Sequence, residues 1–157
     1  MVKPLEIHVW RGPEGASRGT LLETALGCAH AVAIGAHGKP YLPGLPSVKF
    51  NISRTSGLAL IAVAMDVEVG VDVERLRPIP EWREIAGRYF PAAGVADERE
   101  FFRHWTRLEA QVKAWGVGLT GDAAACPMVE DVDVGDEYAA AVAATATGMK
   151  VKVEWNR

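Results

Sequence analysis

The chain has 157 residues and is short of several things. It has two cysteines, Cys28 and Cys126, which make neither a disulfide framework nor a metal-ligand spacing. Both are expected to be small buried thiols in a reducing compartment. It lacks a basic excess: 17 Lys and Arg against 20 Asp and Glu give a net charge of −3, with no electrostatic footprint for nucleic acid. Its four histidines, His8, His30, His37 and His104, are scattered without ligand spacing, and only His37 lies near a loop of interest. It has no long hydrophobic run. The stretch "GLALIAVAM" (57–65) is far too short to span a bilayer, and "MVKPLEIHVW" is too short and mixed for a signal peptide. The expectation is a soluble, cytoplasmic protein that binds neither membrane nor nucleic acid. Repeats and low-complexity linkers are also missing, so residues 1–157 read as a single domain. A chain of this size hides about 70% of its unfolded surface, enough for a proper core.

The pattern that is present alternates strands and helices. "LEIHVW" (5–10) reads as a strand closed by the turn "RGPEG". Ser17 can cap a short helix that ends at Gly27. "HGKPYLPGLP" (37–46) is expected to be loop, because its prolines and glycines break regular structure. "VKFNIS" (48–53) reads as a strand, and the apolar run 57–66 as a strand buried on both faces. The run is expected to pair with 67–74 as a hairpin through Asp66. Residues 79–90 read as a helix with Trp82, Ile85, Ala86 and Tyr89 on one side. Residues 98–116 give the strongest helix, with Phe101, Trp105, Leu108, Val112 and Trp115 as its apolar stripe and Gly116 as its stop. "EYAAAVAATA" (137–146) and "MKVKVEWN" (149–156) read as closing strands. The class is therefore α+β, an antiparallel sheet packed against a long helix.

One stretch raises a chemical question. In "VEVGVDVE" (67–74), valines alternate with Glu68, Gly70, Asp72 and Glu74, so one face of the strand is apolar and the other acidic. Like charges on one face repel. Such a face either meets water or has something positive against it. Asp72 and Glu74 project together, and Glu109 and Lys113, four apart, share a face of the long helix. Carboxylate oxygens suit a hard cation such as Mg²⁺, and a neighbouring lysine suits phosphate. Taken singly, each pair is also what a solvated surface looks like.

The order of four motifs narrows the choice. "GKPYL" (38–42), "FNISRTSG" (50–57), "VGVDVE" (69–74) and "WTRLEAQVKAWGVGL" (105–119) occur in succession. This succession resembles the 4′-phosphopantetheinyl transferases of the Sfp type, whose pattern runs GKP, FN[LI]SHS, [IV]G[VI]D[IV]E and W[ST]xKExxxKxxGxGL. The resemblance covers roughly residues 17–120. It implies a 4′-phosphopantetheinyl transferase-like fold and a Mg²⁺-dependent reaction. In that reaction the phosphopantetheine arm of coenzyme A moves to a serine of an apo acyl or peptidyl carrier protein, releasing adenosine 3′,5′-bisphosphate. Position by position, the resemblance makes Asp72, Glu74 and Glu109 the metal-binding carboxylates and Glu109 the general base. It makes Lys113 the phosphate-contacting lysine and Gly38, Lys39 and Pro40 the loop beside the adenine. It sets Ser53 and Arg54 near the phosphates, and Arg18 at the 3′-phosphate.

The chain departs from that pattern in three places. Arg54 stands where the family has histidine, and Leu108 where it has the lysine of KE; Arg107, adjacent, points about 100° away around the helix. The FN motif begins at Phe50, with 49 residues before it, so the first half of the usual two-half architecture is expected to be truncated and to lack a helical segment. Uncovered apolar surface would then call for a second copy, a homodimer. These departures also allow a non-catalytic homologue that binds coenzyme A or a carrier protein without transfer, or a structural α+β protein with relic motifs.

Overall fold

The structure is a computed structural model that describes residues 2–116 and 125–155. Val117–Leu119, the end of the last motif, lie outside the described residues. In chain order the elements are β1 (Glu6–Gly12), α1 (Arg18–Leu26), β2 (Ala33–Ile34), β3 (Pro40–Tyr41), β4 (Val48–Thr55), β5 (Leu58–Met65), β6 (Val69–Arg75), α2 (Trp82–Tyr89), α3 (Glu98–Trp115), β7 (Met128–Asp131), β8 (Tyr138–Ala144) and β9 (Lys150–Glu154). The first sheet has the order β4-β5-β1-β9 and the second β6-β8-β7, and β2 and β3 form a small two-stranded sheet of their own. Pairing is antiparallel except that β9 joins β1 in parallel. The fold is α+β.

The layers follow from the side-chain alternation of the strands. Ile7, Val9, Leu58 and Leu60 of the first sheet meet Val69, Val71, Val73 and Val142 of the second, forming the core between the sheets. The outer face of the first sheet is covered by Leu21 and Leu22 of α1 together with Val2 and Leu42. The outer face of the second is covered by α3, with Ala110 and Ala114 against Ala141 and Ala143. Helix α1 starts where Ser17 accepts from Thr20 N at 3.0 Å and ends at Gly27 in the left-handed region, as the sequence indicates. The first sheet thus has its own helix. Helix α1 covers part of the apolar face that a truncated first half was expected to expose, while Leu5, Ile34, Tyr41 and Leu45 stay exposed.

Three expectations are corrected. The run 58–65 does not form a hairpin with 69–75. Strand β5 is already paired on one side with β4 and on the other with β1. Asp66, at φ 58°, turns the chain out of that sheet, and β6 pairs with β8 in the other. Second, the segment 37–46 is not all loop: Pro40 and Tyr41 pair with Ile34 and Ala33. Third, Cys126 is buried but Cys28 is exposed. The alanine-rich segment is the strand β8, whereas β7 had no signal strong enough to be read.

The stripe on α3 also needs revision. Phe101 and Trp105 pack on α2, with Trp105 edge-on to Tyr89 at 5.6 Å. Trp115 is 41% exposed and Leu108 is half-buried. The side that faces β6 and β8 is made instead of Thr106, Ala110 and Ala114, all fully buried. The reason is Gly70: a β-carbon there would collide with the Ala110 carbonyl and sit 2.5 Å from Ala114 N. The helix backbone rests directly on the strand, so only small residues fit the seam. Large apolar residues mark a helix's hydrophobic side, but here they lie beside the closest contact.

Gly70→Ala has no room to relax, because both obstacles are backbone. Its cost is expected at about 3 kcal/mol or more, at the upper end of overpacking. Thermal or denaturant unfolding reads it directly, and a change under 1 kcal/mol would show that α3 does not approach β6 this closely.

Candidate active site

Strand β6 is the floor of the site, and its two edges differ. One is paired with β8. Along the other, every second backbone N–H finds a side-chain oxygen of β4: Val71 N donates to Asn51 Oδ1 (2.9 Å), Val73 N to Ser53 Oγ (3.1 Å) and Arg75 N to Thr55 Oγ1 (2.9 Å). The two sheets are joined here by a side-chain ladder in place of a backbone one. The signal was in the sequence, as the N-x-S-x-T alternation of "NISRT" facing V-x-V. Asn51 and Thr55 were not singled out because each looks like an ordinary polar strand residue.

Ser53 has a second task. Its hydroxyl donates to Asp72 Oδ1 at 3.1 Å, and Lys113 Nζ reaches the same oxygen at 2.9 Å. Lys113 also donates to Val71 O at 3.1 Å, which leaves one of its three N–H groups without an acceptor among the described residues. The other oxygen of Asp72, Oδ2, is buried and has no hydrogen-bond partner among the described residues. Burial raises the Asp72 carboxyl to about 6, against the pull of Lys113, and Glu74 and Glu109 push the same way. Burial also raises Glu109, again with Lys113 opposing and Glu74 assisting. Three carboxylates therefore sense one another around one lysine. Their mutual repulsion and the buried Oδ2 make an oxygen-rich environment, which fits a hard divalent cation. Among the described residues no three such side chains stand close enough together to hold a metal as they are. Glu74 is turned toward Arg77, at 2.8 Å.

Each acid on the β6 face thus has its own cation. Glu68 pairs with Lys39 at 2.8 Å and with Lys49 at 3.6 Å. Lys39 also donates to the carbonyls of Val69, Lys113 and Ala114. Beside these residues, at the last turn of α3, lies a cleft of about 400 Å³. The 35–41 loop, Phe50, Glu68 and Trp115 line it, and His37 is among the lining residues. Sequence reasoning pointed to the loop but not to Trp115, Tyr41 or Glu68.

Other expected site residues lie elsewhere. Arg54 leaves β4 on the side opposite Ser53 and donates to Glu14 O at 3.0 Å, so it does not join Asp72 and Lys113. Arg18 is exposed in the first turn of α1. Gly38 is at φ 78° in the turn before Pro40 and allows the loop to double back. Arg107 is engaged with both oxygens of Asp131 (2.7 and 2.6 Å) and does not replace the lysine missing at Leu108.

Comparison with known proteins adds an independent line. The family model of the 4′-phosphopantetheinyl transferase superfamily matches residues 68–150, which include β6 and α3. Among curated proteins, the chain is similar to the 4′-phosphopantetheinyl transferase HetI of Nostoc sp. (35% identical over 96 residues, 54% of this chain and 40% of the relative). It is similar to AcpT of Salmonella typhi (31% over 121 residues, 68% and 63%) and to Sfp of Bacillus subtilis strain 168 (34% over 93 residues, 54% and 40%). The matched stretch spans less than two thirds of the length of each of these relatives. Among the described residues no helix is long and apolar enough to cross a membrane.

The buried Asp72 gives a pH signature. Folded, it keeps its proton up to about pH 6; unfolded, only to the ordinary 3.8. The folded chain holds the extra proton between these values, so this group's contribution to stability is full below about pH 4 and is lost as pH rises through 6. Asp72→Asn is expected to be more stable than the native chain at pH 7.5, by about 1–3 kcal/mol, and to lose that advantage at pH 4. Thermal melts at both pH values check this; an Asn variant less stable at pH 7.5 would contradict a burial penalty that outweighs the pull of Lys113.

Proposed function

The chain belongs to the 4′-phosphopantetheinyl transferase superfamily, and from that membership we propose that it transfers the 4′-phosphopantetheine arm of coenzyme A to a serine of an apo acyl or peptidyl carrier protein, releasing adenosine 3′,5′-bisphosphate. The observation that carries the proposal is the convergence of Asp72, Glu109 and Lys113 from a strand and a helix, beside a cleft that would take the adenine.

The chemistry assigned to each residue follows from its surroundings. Asp72, Glu74 and Glu109 would hold Mg²⁺, which when bound offsets the charge that develops on the pyrophosphate. Glu109, half-buried and with its carboxyl raised, is a stronger base than an exposed glutamate. It takes the proton from the carrier serine hydroxyl. The serine oxygen forms a bond to the phosphorus of the pantetheine-bearing phosphate, and the bond from that phosphorus to the bridging oxygen breaks. The electron pair leaves on adenosine 3′,5′-bisphosphate. Lys113, with its remaining N–H, meets a phosphate oxygen during the displacement. Gly38 and Pro40 shape the cleft for the adenine. Arg18, Ser53 and Arg54 make up the remaining phosphate-binding set, for which Arg54 would have to leave Glu14. A cytoplasmic setting fits a reaction between coenzyme A and a carrier protein. A homodimer remains part of the reading, with the exposed Leu5, Ile34, Tyr41 and Leu45 as apolar surface for a second copy to cover.

One observation favours a second reading. Arg54 is bonded away from Asp72, and this suits a homologue that binds coenzyme A without transferring its arm. Incubation with coenzyme A, Mg²⁺ and several apo carrier proteins, read by mass spectrometry, separates the two. The expected result is a carrier heavier by one phosphopantetheine arm, with the rate reduced about 10²-fold or more by Asp72→Ala and by Glu109→Ala. Undiminished transfer by both variants would overturn the assigned roles. Coenzyme A binding by calorimetry with no modified carrier after hours would select the second reading.

A further inference from the structure

Four acceptors surround the Lys39 ammonium. Nζ lies 3.0 Å from Lys113 O, 3.1 Å from Ala114 O, 3.3 Å from Val69 O and 2.8 Å from a Glu68 carboxylate oxygen. An ammonium has three N–H groups, so none remains for another ligand. Two of the acceptors belong to the last turn of α3, where Lys113 O otherwise meets only the capping Gly116 N–H at 3.2 Å and a cation complements the helix dipole. A third begins β6. The stem packs under the helix stop, where a β-carbon on Gly116 would stand 3.4 Å from Lys39 Cδ. The side chain is 19% exposed. Lys113, whose carbonyl Lys39 holds, is the residue whose own ammonium engages Asp72.

We propose that Lys39 is a positioning residue: its ammonium ties the end of α3 to the start of β6 and so fixes Lys113 against Asp72, and it is not a ligand to the phosphates of coenzyme A. The inference rests on the transferase reading for the identity of the ligand, and on geometry for the tie itself. Reaching a phosphate would require Lys39 to release Ala114 O, for which no other donor stands among the described residues, and to leave Lys113 O with the Gly116 N–H alone, at 3.2 Å. Lys113, by contrast, has an N–H to offer.

Lys39→Met keeps the stem and removes only the charge and its donors. The expected result is a split: kcat falls about 10- to 100-fold, as a slight misplacement of reacting groups does, while KM and the calorimetric Kd for coenzyme A stay within about threefold of the native values. A tenfold or larger rise in KM and Kd with kcat retained would overturn the proposal and make Lys39 a ligand. Selectively labelled lysine in the native chain, observed by NMR, gives a second readout that needs no variant to fold. On addition of coenzyme A the Lys113 ammonium signal shifts and that of Lys39 does not; a Lys39 shift of equal size would overturn the proposal. If the native chain neither binds coenzyme A nor modifies a carrier, the transferase reading fails, and hydrogen exchange tests the tie alone. The amides of residues 113–116 then exchange at least about tenfold faster in Lys39→Met, and unchanged exchange would refute it.

Discussion

The absence of one methyl group at position 70 sets the geometry on which the rest depends. With only hydrogen there, the backbone of α3 lies against β6, and Ala110 and Ala114 keep the seam thin. That closeness carries Lys113, between them on the helix, to the oxygen of Asp72. A strand and a helix separated by an ordinary side-chain layer would sit about 10 Å apart, and a lysine would span the gap only with its stem extended. Close packing therefore does two things together. It excludes water from Asp72, which raises its carboxyl, and it delivers the counter-charge that keeps the burial tolerable.

The seam is guarded on each side by different chemistry. On the β4 side, hydroxyl and amide oxygens meet backbone N–H groups. At the helix end, a lysine meets backbone carbonyls. Buried polar backbone without partners is costly, and both devices satisfy it with side chains. The residues that position the site thereby also hold the two sheets and α3 in place. Ser53 illustrates the economy: one hydroxyl accepts from Val73 N and donates to Asp72.

Much of the fold was legible in the sequence wherever a local rule decided the outcome. Ser17 and Gly27 bracket α1, and Gly116 stops α3, because caps are matters of nearest neighbours. The motif order singled out Asp72, Glu109 and Lys113; Lys113 touches Asp72, and Glu109 lies near enough for its charge to act on Asp72. What was not legible was set by distant partners. Nothing local says that β5 already has a strand on each side, so the expected hairpin with β6 gave way to pairing with β8. The stripe on α3 was drawn through its largest residues, whereas the contact is made through its smallest, since Gly70 speaks only when paired with the helix above it. Arg54 was set near phosphates by its neighbour Ser53, yet strand alternation sends it to the other face. Lys39 was located in the right loop, while the destination of its ammonium depends on a helix end 74 positions further along the chain.

The side-chain ladder between β4 and β6 has a mechanical meaning. Each sheet is cross-linked internally by main-chain bonds, but along this line the sheets hold to each other through rotatable groups on Asn51, Ser53 and Thr55. The strength of that seam therefore rests on three replaceable side chains, where within each sheet it rests on a main chain that no side-chain truncation can remove.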